Sequence, residues 1–142
     1  MVDERVIATK LEQIEQYHGE LREKQRTLSR TEYLEDTTER RAVERMFENA
    51  IQACSDLAQH VATHAFDYDG ETAKGAVREL DEQGVIDGSA ADILVAAIGF
   101  RNVLAHEYGQ VNDEEVYETL RIGLGVYEEF SQQIARWTRD RS

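Results

Sequence analysis

Apolar residues recur at steps of three and four along almost the whole chain, and no proline interrupts them anywhere in its 142 residues. That period belongs to helices, because side chains three and four apart share a helix face. Helix formers (Glu, Ala, Arg, Leu and Gln) are plentiful, and only 8% of residues are aromatic. In ERVIATKLEQIEQYHGELREKQRTL, residues 4–28, the stripe is Ile7, Leu11, Ile14, His18, Leu21 and Leu28. In TERRAVERMFENAIQACSDLAQHVATHAF, residues 38–66, it is Val43, Phe47, Ala50, Cys54, Leu57, Ala58, Val61 and Ala65. Between them the pattern breaks, and Ser29 with Glu32 has the spacing of a capping box.

After the turn DYDGE, ETAKGAVRELDEQG predicts a short helix stopped by Gly84 in the C′ position. Next, SAADILVAAIGFRNVLAHEYG opens with a weaker capping box, Ser89 and Asp92, and is apolar nearly all round until Arg101. Such a helix is expected at the centre of a bundle. Asn112 or Asp113 caps a last helix over 113–140, striped by Val116, Leu120, Leu124, Tyr127, Ser131, Ile134 and Trp137. The expected fold class is all-α: an antiparallel bundle of four long helices and a short one, a single domain spanning residues 1–142.

The charge narrows the setting. The formal net charge is −13, and of 16 basic residues only Lys10, Lys24 and Lys74 are lysines. An acidic, lysine-poor surface keeps a protein hydrated in a salty cytoplasm, so a halophilic source is expected. The same excess argues against an exposed basic stripe for nucleic acid, while leaving room for a small concave basic site. No apolar run approaches the ~20 residues that cross a bilayer, and the first residues carry no apolar signal core. A cytoplasmic protein without a membrane partner is therefore expected. The single cysteine, Cys54, falls in an apolar stripe and reads as a buried thiol.

FRNVLAHEYG, residues 100–109, places Arg101, Asn102, His106 and Tyr108 at the end of the most apolar helix. On an unbroken helix positions 101 and 108 lie about 20° apart, but 101 and 106 are about 140° apart. Two arrangements gather the groups in one polar cleft: the last turn before Gly109 distorts, or a second copy supplies the partner across a two-fold axis. The groups suit phosphate. Arginine offers a permanent charge and a planar fork, and a histidine near pKa 6.5 takes and gives a proton. RNA brings its own nucleophile, the 2′-hydroxyl, so a charge clamp and an acid–base group suffice without cofactor or metal. No carboxylate cluster accompanies the motif within its helix. An arginine placed after such an apolar run is costly unless it is used. The plainer alternative is a histidine capping carbonyls and an arginine paired with an acid.

GFRNVLAHEYGQVNDEEVYE resembles the signature of HEPN-domain proteins of the HepT branch, in which Arg and a polar residue are followed by His, any residue and Tyr. RAVERMFENAIQACSDLAQHVA and LDEQGVIDGSAADILVAAIGFRN extend the resemblance over about residues 38–130, the larger part of the chain. THAFDYDGET departs from it by lacking a proline. The resemblance implies a bundle that dimerises with two Arg–His motifs facing one cleft. It also implies a metal-independent endoribonuclease toxin of a type VII-like toxin–antitoxin pair. The antitoxin would be a small nucleotidyltransferase of the MNT family that transfers AMP to the motif's tyrosine. Carried over residue by residue, Arg101 holds phosphate, Asn102 orients it, His106 is the acid–base group and Tyr108 is the AMPylation site. A different class is also open: a non-catalytic nucleotide- or partner-binding module of a nucleotidyltransferase complex, which the −13 charge favours.

Other polar residues have ordinary explanations. Asp56, His60 and His64 share a helix edge, yet HVATH lacks the glutamate of a zincin motif, and a polar stripe beside the core is expected rather than a metal site. His18 is expected to pack in its stripe. Tyr33 is expected under the loop after the first helix. Arg40, Arg41 and Arg45 form the one basic cluster and are expected to pair with Glu39, Glu44 and Glu48, with RNA contact as the sharper option.

Overall fold

The computed structural model describes residues 2–106 and 111–141, with only the backbone described for His106. Among these, the elements are helices alone: α1 (Glu4–Thr27), α2 (Arg30–Glu35), α3 (Thr37–Phe66), α4 (Ala73–Glu82), α5 (Gly88–His106), α6 (Asp113–Ile122) and α7 (Gly125–Asp140). The all-α expectation holds, with seven helices in place of five among the described residues.

The stripes of α1 and α3 meet as their spacing requires. Ile7, Ile14 and Leu21 of α1 are buried against Val43, Phe47, Ala50, Cys54, Leu57 and Val61 of α3. Polar bridges fix the two helices antiparallel: Lys24 Nζ to Glu39 Oε2 at 2.7 Å, Lys10 Nζ to Asp56 Oδ2 at 3.3 Å, and the Asp3 N–H donating to His60 Nε2 at 3.2 Å. The Ser29–Glu32 box is formed, and it starts the six-residue α2. Tyr33 of that helix is fully buried, as expected, and packs 5.6 Å from the Tyr117 ring. Gly84 follows α4 with φ +74°, the left-handed position that glycine adopts most cheaply.

Three expectations are corrected. The central helix is α3, which packs against α1, α2, α4, α5 and α7 and buries residues on most of its circumference. α5 buries only one side. Its start is also capped differently: the Ala90 N–H donates to Asp87 Oδ1 at 2.8 Å, and Asp87 is held by the buried Gln133 of α7, whose Oε1 accepts the Asp87 N–H at 2.7 Å. Asp92 instead pairs with Arg78 of α4 at 2.6 Å. Finally, the last helix is two. It breaks at Gly123–Leu124, and the backbone there leaves no room for a side chain: a Cβ on Gly123 would stand 2.8 Å from the Thr119 carbonyl oxygen. The break lets α6 lie along α1 and α2 while α7 turns onto α1, α3 and α5.

Candidate functional site

The site is built on the C-terminal half of α5. Its buried stripe is Ala90, Ala91, Leu94 and Ile98. Arg101 is the next position on that stripe, about 20° round the helix from Leu94 and about 60° from Ile98. The stripe thus ends in a cation. Just before it Phe100 anchors the helix, its ring edge-on to Phe47 of α3 with centroids 5.4 Å apart. Arg101 is half-buried, and its Nε is shielded from solvent without a hydrogen-bond partner among the described residues. No carboxylate among the described residues pairs with it. The Tyr33 hydroxyl and the Arg40 Nε are shielded in the same way, but Arg40 has Asp113 beside it. What sets Arg101 apart is a shielded donor with no carboxylate partner among the described residues, which suits an anion.

Asn102 is exposed, one residue on. The helix runs without a break to His106, so within one protomer positions 101 and 106 stay about 140° apart. A distorted turn before His106 does not bring them together. Tyr108, and with it the expected position of the modification, lies outside the described residues, as does the imidazole of His106.

The opposite side of α5 is apolar and open. Ile93 is 51% and Val103 41% exposed, with Ala96 between them also exposed. Gly88–Ala105 has a mean hydropathy of 1.3, which by length and composition would suffice to cross a bilayer. That corrects the expectation that no run is apolar enough; packing on α3, α4 and α7 makes α5 a bundle helix instead. Sequence reasoning missed this face because an all-round apolar helix carries no periodicity to say which side is covered.

The remaining candidates resolve into structure. The His60 and His64 rings lie tilted to each other with centroids 4.6 Å apart, but His60 accepts a backbone N–H and Asp56 is taken by Lys10 and Gln52. No group of three metal-ligating side chains gathers among the described residues. Burial and the neighbouring His64 lower the pKa of His60 below the usual histidine value. His18 packs 5.9 Å from Tyr127, and burial, helped by Arg22, lowers its pKa too. Cys54 is fully buried, which pushes its thiol pKa up and leaves it inert. Arg41 and Arg45 pair with Glu44 and Glu48 as expected. Arg40 departs from expectation: it pairs with Asp113 at 3.4 Å and donates to the Leu34 carbonyl, while Glu39 pairs with Lys24. Arg40 is thus engaged within the fold, while Arg41 and Arg45 pair along an exposed face of α3.

A family model described as ribonuclease HepT-like matches residues 11–134. The chain belongs to this HepT-like family. Among curated proteins, the tRNA nuclease HepT of Aphanizomenon flos-aquae is 26% identical over 129 residues, covering 91% of this chain and 87% of that one. Among solved structures, a tri-AMPylated HEPN toxin of Shewanella oneidensis in complex with MNT antitoxin matches with TM-score 0.84 and 21% identity, over 96% of this chain and 99% of that one. YutE of Bacillus subtilis, a cytosolic protein of unknown function, matches with TM-score 0.82 and 18% identity, over 99% and 93%. At such identities the structural likenesses establish the HEPN fold, and function rests on the site.

Proposed function

We propose that the chain is a metal-independent endoribonuclease toxin, held silent by a nucleotidyltransferase antitoxin that attaches AMP to Tyr108. The observation that carries this is Arg101: a cation that ends a buried stripe, with a shielded Nε left without a partner among the described residues. The nuclease and toxin–antitoxin relatives supply the chemical class.

In the proposed reaction the 2′-oxygen of RNA attacks the adjacent phosphorus, and the P–O bond to the 5′-oxygen breaks. Arg101 holds the non-bridging oxygens, where charge builds up in the transition state. Asn102 orients that phosphate. His106 takes the 2′-proton, and an imidazolium gives one to the leaving 5′-oxygen. A homodimer supplies both if its two-fold axis passes beside the motifs, so that Arg101 of one protomer and the 106 position of the other face one cleft. Within one protomer the 140° separation of 101 from 106 leaves this the simpler way to unite them.

AMP on Tyr108 would fill that cleft with phosphates and exclude RNA. The test is to incubate the protein with its nucleotidyltransferase and ATP, then measure RNA cleavage. Cleavage should vanish along with a gain of AMP mass, and Tyr108→Phe should keep cutting without gaining mass. A Tyr108→Phe protein silenced equally well would refute the modification site. Binding of the partner or ATP by a wild type that never cuts RNA would support the binding-module alternative, which the −13 charge favours.

A further inference from the structure

The chain has three lysines, and two are spent on structure: Lys10 on Asp56 and Lys24 on Glu39. Lys74 has no ion pair among the described residues. It is the second residue of α4, following the cap Thr72, whose side chain accepts the Gly75 N–H. A cation in the first turn of a helix opposes the helix dipole, so the fold gains nothing electrostatic from lysine there.

Its placement across α5 is specific. α4 and α5 run antiparallel, and Arg78 meets Asp92 in an ion pair at 2.6 Å. One turn back along α4, Lys74 meets the residue seven further along α5, which is Gly99. The Lys74 Nζ lies 3.5 Å from where a Cβ on Gly99 would stand. Where the Arg78 side chain finds a carboxylate on α5, the Lys74 side chain reaches further along it and finds bare helix. Position 99 shares a side of α5 with position 106, about 20° away and about 10 Å along the axis, with Asn102 between them in height. Arg101 leaves the helix on another side. In a protein of net charge −13, an unpaired ammonium beside the motif is a marked local exception.

We propose that Lys74 is a substrate-binding residue that holds an RNA phosphate beside the reacting one, on the side of α5 that carries His106. This rests on the ribonuclease activity proposed above. The bare helix at Gly99 leaves the ammonium room to meet a backbone phosphate directly. Direct contact is what remains when salt shortens electrostatic reach to about 3 Å at molar ionic strength.

The experiment uses the full chain and a labelled single-stranded RNA, with steady-state cleavage measured in EDTA over a series of KCl concentrations. Lys74→Gln should raise KM about fivefold and lower the salt slope of log KM by about 0.7, the signature of one lost phosphate contact on a single strand. Lys74→Arg should restore both. Lys10→Gln makes the same change in net charge on the α1 side of α3 and should leave both at the wild-type level. A Lys74→Gln protein with wild-type KM and salt slope overturns the proposal while leaving the ribonuclease intact. So does a loss of activity that Lys74→Arg fails to rescue and that leaves the slope unmoved, since Lys74 would then only pack α4 on α5. A wild type that cuts no RNA removes the ribonuclease activity first, and this assignment with it.

Discussion

Arg101→Met should make the protein more stable while abolishing its activity. Methionine keeps an unbranched apolar stem on the stripe that Leu94 and Ile98 begin, and removes the shielded Nε that has no partner among the described residues. A buried donor left unsatisfied costs about 1–3 kcal/mol. Because Arg101 is half-buried, the lower end applies, a gain of about 1 kcal/mol for the variant. For a chain of this size that is a rise of about 4 °C in Tm. Losing one positive charge works the other way in a protein of net charge −13, so the comparison belongs in 1 M KCl, where the Debye length is about 3 Å. Urea unfolding followed by circular dichroism reads the difference, and RNA cleavage reads the activity. A variant less stable by about 1 kcal/mol or more would refute the reasoning: the guanidinium would then be holding the helix end together, and the motif would be structural.

Other outcomes follow from particular contacts. His18 and His60 both have pKa values lowered in the fold, chiefly by burial, so the unfolded chain takes up protons first as the pH falls. Stability should be full above about pH 6.5 and decline below it, so that Tm at pH 5.5 lies under Tm at pH 7.5. His60→Gln should flatten part of that decline, and a Tm that rises on acidification would contradict it. Gly123→Ala should destabilise by about 1–2 kcal/mol, because its Cβ would stand 2.8 Å from the Thr119 carbonyl oxygen. Gly125→Ala, with nothing within 4 Å of the new methyl, should be neutral or stabilising by up to about 1 kcal/mol; urea melts of the pair check both. In light scattering the wild type should run as a dimer, as the shared cleft requires. A wild type that is monomeric would refute the proposed pairing.

The spacing of Ile7, Ile14 and Leu21, and of Val43 through Val61, was enough to find α1 and α3, because that period belongs to one helix face; it did not show that α3 is buried on most of its other sides too. Local capping was legible where partners are close in sequence, as at Ser29–Glu32 and Gly84. It failed at α5, where Asp87 wins the cap because a buried Gln133, 46 residues away, holds it. The break at Gly123–Leu124 was hidden because Leu120, Leu124 and Tyr127 keep the helical spacing straight through it. The residues of the candidate site could be named from FRNVLAHEYG alone, but not their directions. Which side of α5 is core depends on α3, α4 and α7, and only that packing puts Arg101 on the inner stripe and Lys74 over Gly99.

The proposed function turns on whether the motif on α5 cuts RNA without a metal. The most direct measurement is cleavage of labelled total RNA by the purified protein in EDTA and molar KCl, beside His106→Ala prepared identically. The wild type should give discrete fragments and the variant none, at equal helicity. Equal cutting by both proteins, or no cutting by a wild type shown by mass to carry no AMP, would contradict it.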